Sequence, residues 1–220
     1  MEAFLSALDI TGSPHQQRVI TIATTPAMGA LLMPGLASAL KPTFPQILLH
    51  NIAIVDAARQ LDQRQVDLLI DTHLHSGQAI SHHVLYQDRV QMYCRAGHPA
   101  LDGPQDETTL AEYEFALLLP EGQRYPTLHR RLQEEMGERR CGFSTFNLMT
   151  QAAMIAGSDM LGLTTERLFA MVSRLWPLQT LDFPSLGGEQ IDVALHFNKL
   201  SGKEPLLKEI IETVIRSFKA

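Results

Sequence analysis

RVITIATTPAMGALLMPGLASAL (residues 18–40) reads as a strand, a hydroxyl-bearing turn and a helix in direct succession. Val19, Ile20 and Ile22 are β-branched and favour extended backbone. Thr24, Thr25 and Pro26 break the run. Met28, Leu31, Leu32, Gly35, Leu36, Ala39 and Leu40 then recur at i, i+3 and i+4, which puts them on one helical face. Pro34 falls inside that pattern and removes a backbone donor, so the helix begins near it or kinks there. In a parallel sheet, the loop from such a strand into its helix lies at the carboxyl edge. Free N–H groups of the helix start there can meet an anionic or polar ligand.

The next segments repeat the unit. Gln46 to His50 is an apolar strand with Asn51 at its end, Ile54 to Leu61 a short helix, Asp62 to Gln65 a polar turn. Val66 to Ile70 is a third strand, closed by Asp71-Thr72-His73. Strand, helix, strand, helix, strand at this spacing predicts right-handed βαβ crossovers and a parallel sheet. Residues 72–82 read as a loop. Val84 to Tyr86 and Val90 to Cys94 read as two strands bracketing a turn at Gln87-Asp88-Arg89.

Further on, a helix is expected at Leu110 to Tyr113, a buried strand at Phe115 to Leu119 and a polar loop from Pro120 to Pro126. Thr127 to Met136 reads as a helix stopped by Gly137, and Arg139 to Phe143 as a strand. Ser144 or Thr145 can cap a helix from Phe146 to Ala156, and Thr164 or Thr165 one from Glu166 to Val172, after a strand at Met160 to Leu163. Leu178 to Leu181 and Ile191 to Phe197 are strands, with a loop at Pro184 to Gly188 between them. Pro205 opens a last helix, with Leu207, Ile210, Ile211, Val214, Ile215 and Phe218 on one apolar face. That face needs a sheet to cover, so the chain is expected to return to its first subdomain.

Composition excludes several classes. At 45% hydrophobic and 19% charged, the 220-residue chain has the apolar content of a globular protein with a sizeable core. A net charge of −6 argues against a surface that grips phosphates by itself. The densest basic cluster, Arg130, Arg131, Arg139 and Arg140, reads as solvated surface. Cys94 and Cys141 read as buried free thiols, not a disulfide framework. No apolar run approaches the ~18 residues of a membrane span, and the first residues lack a basic, apolar leader pattern. The expected compartment is the cytoplasm.

No nucleophile elbow, phosphate-binding glycine loop or zinc-protease motif is present. His73 and His75 share a face if extended, followed by His82 and His83, but with no cysteine near and only Asp71 as a carboxylate they read as loop histidines and no metal or other cofactor is expected. Asp67 reads as a half-buried acid taking backbone or Lys/Arg bonds. The better signal is the set of polar groups at expected strand ends and helix starts: Thr24, Thr25, Asn51, Thr72, His73, Glu121, Thr145, Asn147 and Thr164, with Pro26 and Phe146 flanking them. In two apposed α/β subdomains such ends converge on a cleft.

Together these segments resemble the effector-binding domain of LysR-type transcriptional regulators over about Arg18 to Phe218. The opening stretch looks like that family's first strand, ligand turn and Leu-Pro-bearing helix. LDQRQVDLLI (61–70), RAGHPAL (95–101) and SDMLGLTTERL (158–168) are similar to later landmarks in the same order. Gln65 stands where glycine is common, and Thr165 near a usual proline. The resemblance implies an α/β, periplasmic-binding-protein-like (type 2) fold: two Rossmann-like subdomains joined by two crossing segments, here 18–88 with 196–220, and 89–195. Residues 1–17 would be the end of a linker helix and a linker, and an N-terminal winged helix-turn-helix is lacking. It implies a sensor of a small polar or anionic effector, no enzyme. It also implies a homodimer or tetramer through Met28 to Leu40 and Leu148 to Ala156, with DNA bound only through the helix-turn-helix. The other readings are a free-standing solute-binding protein and an enzyme of the same fold.

Overall fold

Alternation of β-branched and small residues makes Arg18–Thr24 (β1) the first strand, with Ile20, Ile22 and Ala23 fully buried. A computed structural model of the chain describes residues 18–118, 140–183 and 190–219. Thr25 ends the strand and accepts a hydrogen bond at Oγ1 from Met28 N (3.4 Å), so it caps Pro26–Leu40 (α1), with Pro26 at the first helical position. Pro34 therefore sits mid-helix and does not start it. The buried stripe of α1 is Met28, Leu32, Leu36 and Leu40, one residue per turn, and Gly35 lies on the exposed side.

The chain divides into two compact units. The first holds described residues 18–24, 32–85 and 194–219; the second holds 25–31, 86–118, 140–183 and 190–193. In the first, Ile47–Ala53 (β2), β1 and Leu68–Asp71 (β3) are parallel, in the order β2-β1-β3, as βαβ crossovers require. Gln190–Asn198 (β9) returns from the far end of the sequence and pairs antiparallel with β3, Leu69 facing His196. Between β2 and β3, Asp56 caps Ala57–Asp62 (α2) through Arg59 N. Buried Gln60 staples the entry to α2, accepting from Val55 N (3.0 Å) and donating to Ala53 O (3.1 Å). The left-handed residue in the turn before β3 is Arg64, at φ 53°, beside the glutamine that replaces the common glycine. Asp67 precedes β3; its Oδ2 accepts from Thr21 N at 2.8 Å and Arg18 lies 3.6 Å away, as a half-buried acid should. Pro205–Ser217 (α6) buries Leu207, Ile210, Ile211 and Val214, the apolar face read from its periodicity.

The second unit is built on Ile80–Arg95 (β4), whose last half pairs antiparallel with Gly162–Thr165 (β7) and Leu178–Leu181 (β8). The expected turn at Gln87-Asp88-Arg89 is absent: β4 is one continuous strand that begins at Ile80, inside the expected loop. The buried Asp88 carboxylate takes Arg89 N (3.0 Å) and Arg167 N (3.4 Å), which satisfies a residue that in isolation signals a turn. Phe115–Leu118 (β5) and Cys141–Thr145 (β6) are parallel, and Phe115 bridges Leu161 in parallel. Among the described residues, Glu107–Leu110 (α3), Leu148–Ala156 (α4), Glu166–Val172 (α5) and the first turns of α1 are helical in this unit. His98 is fully buried. Its Nδ1 accepts from Ala100 N (3.0 Å) and its Nε2 reaches Asp159 O (3.1 Å), which closes the turn at Pro99. That is the structural use of the His-Pro landmark.

Two expected caps are corrected. Asn147, not Ser144 or Thr145, caps α4, its Oδ1 accepting from Met149 N (2.8 Å) and Thr150 N (3.4 Å). Thr165 occupies the cap position of α5 without a side-chain bond, and Thr164 lies within β7. Cys94 is buried as expected, but Cys141 is exposed, because β6 presents it to solvent. The expected helices at 2–9 and 127–136, the loops at 120–126 and 184–188, and the Arg130, Arg131 and Arg139 cluster lie outside the described residues.

Candidate functional site

The carboxyl ends of β2, β1 and β3 form one edge of the first unit; Thr24 ends β1 and Thr72 follows β3, whereas Asn51, expected at the end of its strand, lies inside β2 opposite Ile22, because β2 runs on to Ala53. Asn51 donates from Nδ2 to Ile22 O and to Thr24 Oγ1, both at 2.9 Å. Both amide hydrogens are thus engaged within the fold. The exposed side chain meets anything outside through Oδ1, as an acceptor. Thr24 itself is buried. Thr72 N donates to Asp71 Oδ1 (2.7 Å), and His73 is exposed with its ring 4.8 Å from that of His75.

In the second unit the carboxyl ends of β5, β6 and β7 form a comparable edge. Thr145 Oγ1 accepts from Asn147 N (3.2 Å), and Phe146 between them is 52% exposed. Asn147 is occupied in capping α4. Thr164 is buried with its hydroxyl unpaired. Thr25 and Pro26 form the cap and first turn of α1. Glu121 lies outside the described residues. The structure therefore groups Thr24 with Asn51 and Thr145 with Asn147 by direct bonds, and Thr72 with His73 by position.

The fold adds His196 to the loop histidines and Asp71. Asp71 is fully buried at the end of β3 and its Oδ2 lies 2.8 Å from His75 Nε2. His75 N in turn donates to Nε2 of His196, fully buried on β9 (3.1 Å). His196 is 121 residues away in sequence, so only the return of β9 to β3 could reveal the contact. Burial, reinforced by His75 and opposed by Asp71, pushes the His196 imidazole down to about 4. Among the described residues no three His, Cys, Asp or Glu side chains are grouped to hold a metal ion.

Two α/β units with polar strand ends, linked by strands that run from one to the other, define a small-molecule-binding fold of the periplasmic-binding-protein-like type 2. Comparison with known proteins agrees. Residues 13–219 match the LysR substrate binding domain model. An uncharacterized HTH-type transcriptional regulator of Escherichia coli K12, YbeF, is 44% identical over 218 residues, covering 99% of this chain and 69% of that protein. Among solved structures, a probable transcriptional regulator from Pseudomonas aeruginosa superposes with a TM-score of 0.78 at 18% identity, over 97% of this chain and 73% of that one. The CrgA regulatory domain, from a LysR-type regulator of Neisseria meningitidis, gives 0.74 at 14%, over 92% and 99%. The chain belongs to the LysR substrate-binding domain family: it is the effector-binding domain of a transcriptional regulator. That family is one of regulators and not an enzyme class.

Proposed function

We propose that this domain senses a small polar or anionic molecule at the carboxyl edges of its parallel strands. Thr24, Thr25, Pro26, Asn51, Thr72 and His73 are the contacts assigned from one group of strand ends, and Glu121, Thr145, Phe146, Asn147 and Thr164 from the other. The observation that carries this is the Thr24–Asn51 pair, which fixes an exposed amide with its acceptor oxygen outermost. Such an oxygen selects a ligand that brings a hydroxyl or ammonium donor. A thermal-shift screen of amino acids and hydroxycarboxylates tests it. A ligand at 100 times its Kd adds about 2.7 kcal/mol of stability, and Asn51→Ala should remove at least half of that. No shift from any such compound, or the same Kd in Asn51→Ala and Thr145→Val, would remove these residues from the site.

The units 18–88 with 196–220, and 89–195, are read as the two halves of this sensor. Assembly is assigned to Met28 to Leu40 and Leu148 to Ala156. Neither α1 nor α4 carries a charged residue, and Met154 on α4 is 37% exposed. Sedimentation equilibrium should give a homodimer or tetramer, and Met154→Glu a monomer. DNA contact is assigned to a winged helix-turn-helix carried elsewhere in the regulator, and the compartment to the cytoplasm. Among the described residues no helix is long and apolar enough to cross a membrane.

A further inference from the structure

Three segments of the first unit meet at His196: the end of β3 and the loop after it through Asp71 and His75, the start of β4 through His82, and β9 itself. The His75 ring centroid lies 5.1 Å from that of His196, and the His82 centroid 5.9 Å from it. We propose that the bond from His75 N to His196 Nε2 is a proton-operated latch, which holds the loop after β3 against β9 at neutral pH and opens on acidification.

The bond dictates the tautomer. Nε2 of His196 accepts, so in the latched state His196 is neutral and its proton sits on Nδ1, a buried atom that lies near the backbone of its ladder partner Leu69 but makes no well-formed hydrogen bond. A proton on Nε2 turns the acceptor into a donor facing the His75 N–H, and the bond is lost. The charge so created is buried and faces His75 and His82, both of which add repulsion when protonated; among the described residues Asp71 is the counter-charge. The Asp71 carboxylate is already shared between Thr72 N and His75 Nε2. The latched state therefore excludes the proton and the opened state takes it up, so acid favours opening. The loop that the latch restrains carries Thr72 and His73. Both β4 and β9 continue from this cluster into the second unit.

The sign and size follow from linkage. With an imidazole near 4 when latched and about 6.5 when opened, the opening equilibrium rises roughly 20-fold between pH 7 and pH 5. Amide hydrogen exchange of His75, corrected for the intrinsic pH dependence, should lose protection by about that factor, while β1 keeps its own. Nitrogen-detected NMR of the whole chain should show His196 as the Nδ1–H tautomer at pH 7, titrating well below the usual histidine range. His196→Gln supplies an amide oxygen that does not titrate and should flatten the exchange profile. Titration of His196 near 6.5, the other tautomer, or an unchanged pH profile in His196→Gln overturns the latch. If His196→Gln does not fold, the wild-type tautomer and titration decide alone. None of these readouts involves the effector.

Discussion

Gln151 is a buried amide on α4 whose loss should cost more than any exposed residue of that helix. Its Nε2 donates to Ala116 O at 2.6 Å and its Oε1 accepts from Tyr93 OH at 3.1 Å, so it ties α4 to both β5 and β4. Burial pushes the Tyr93 phenol well above its usual range, so it is a neutral donor at any ordinary pH. Gln151→Leu keeps the volume roughly constant and strands two buried polar groups. Each costs about 1–3 kcal/mol, partly offset by the apolar gain, for a net loss of roughly 2–4 kcal/mol. Tyr93→Phe alone should cost about 1 kcal/mol. In the double variant the phenol is no longer stranded, so the losses should fall short of additive by about 1 kcal/mol. The assay is urea denaturation followed by the fluorescence of Trp176, the single tryptophan, which lies in the same unit. With an m-value of about 2 kcal/mol/M the Gln151→Leu midpoint should fall by about 1–2 M. A midpoint unchanged in Gln151→Leu, or strict additivity in the cycle, would refute the network.

Gly162→Ala should destabilise the second unit by about 1–3 kcal/mol, because an added Cβ would lie under 3 Å from Ile155 Cδ1 and the Tyr93 ring; the same urea titration reads it. Asn147→Ala removes the cap of α4 and should cost about 1 kcal/mol, seen as a lower melting temperature with an unchanged fold by circular dichroism. Asp67 is raised above the usual carboxylate range chiefly by burial, against the Thr21 hydrogen bond and Arg18. Its unfolded form therefore ionises first as pH rises, and stability falls through that window. Asp67→Asn keeps an acceptor for Thr21 N and should be more stable than wild type at pH 7 and equal to it at pH 3. A disulfide-exchange reagent should titrate Cys141 in the native protein and Cys94 only after unfolding, since burial pushes the Cys94 thiol up to about 11.

Local chemistry made much of this protein legible. The β-branched run at 18–22, the threonine-proline break, and the i, i+4 leucines of α1 each act over a few residues, and so does the apolar face of α6. The order of these signals also carried the family, because a βαβ sequence leaves few topologies open. What failed were mostly residues whose partners are remote. Asp88 signals a turn until Arg167 N, 79 residues away, satisfies its carboxylate inside a strand. Asn147 took the cap from Ser144 and Thr145 because backbone direction, not residue type, set where α4 starts. Gln151 has no local partner, and its amide is satisfied only because β5 and β4 lie beside α4. His196 was one alternating residue of a strand, and His75 one of several loop histidines. Their pairing exists only because β9 comes back from the end of the chain to lie against β3. Periodicity reports which face of a segment is buried, whereas a hydrogen bond between buried groups depends on which segments share that burial, and only the tertiary structure decides that.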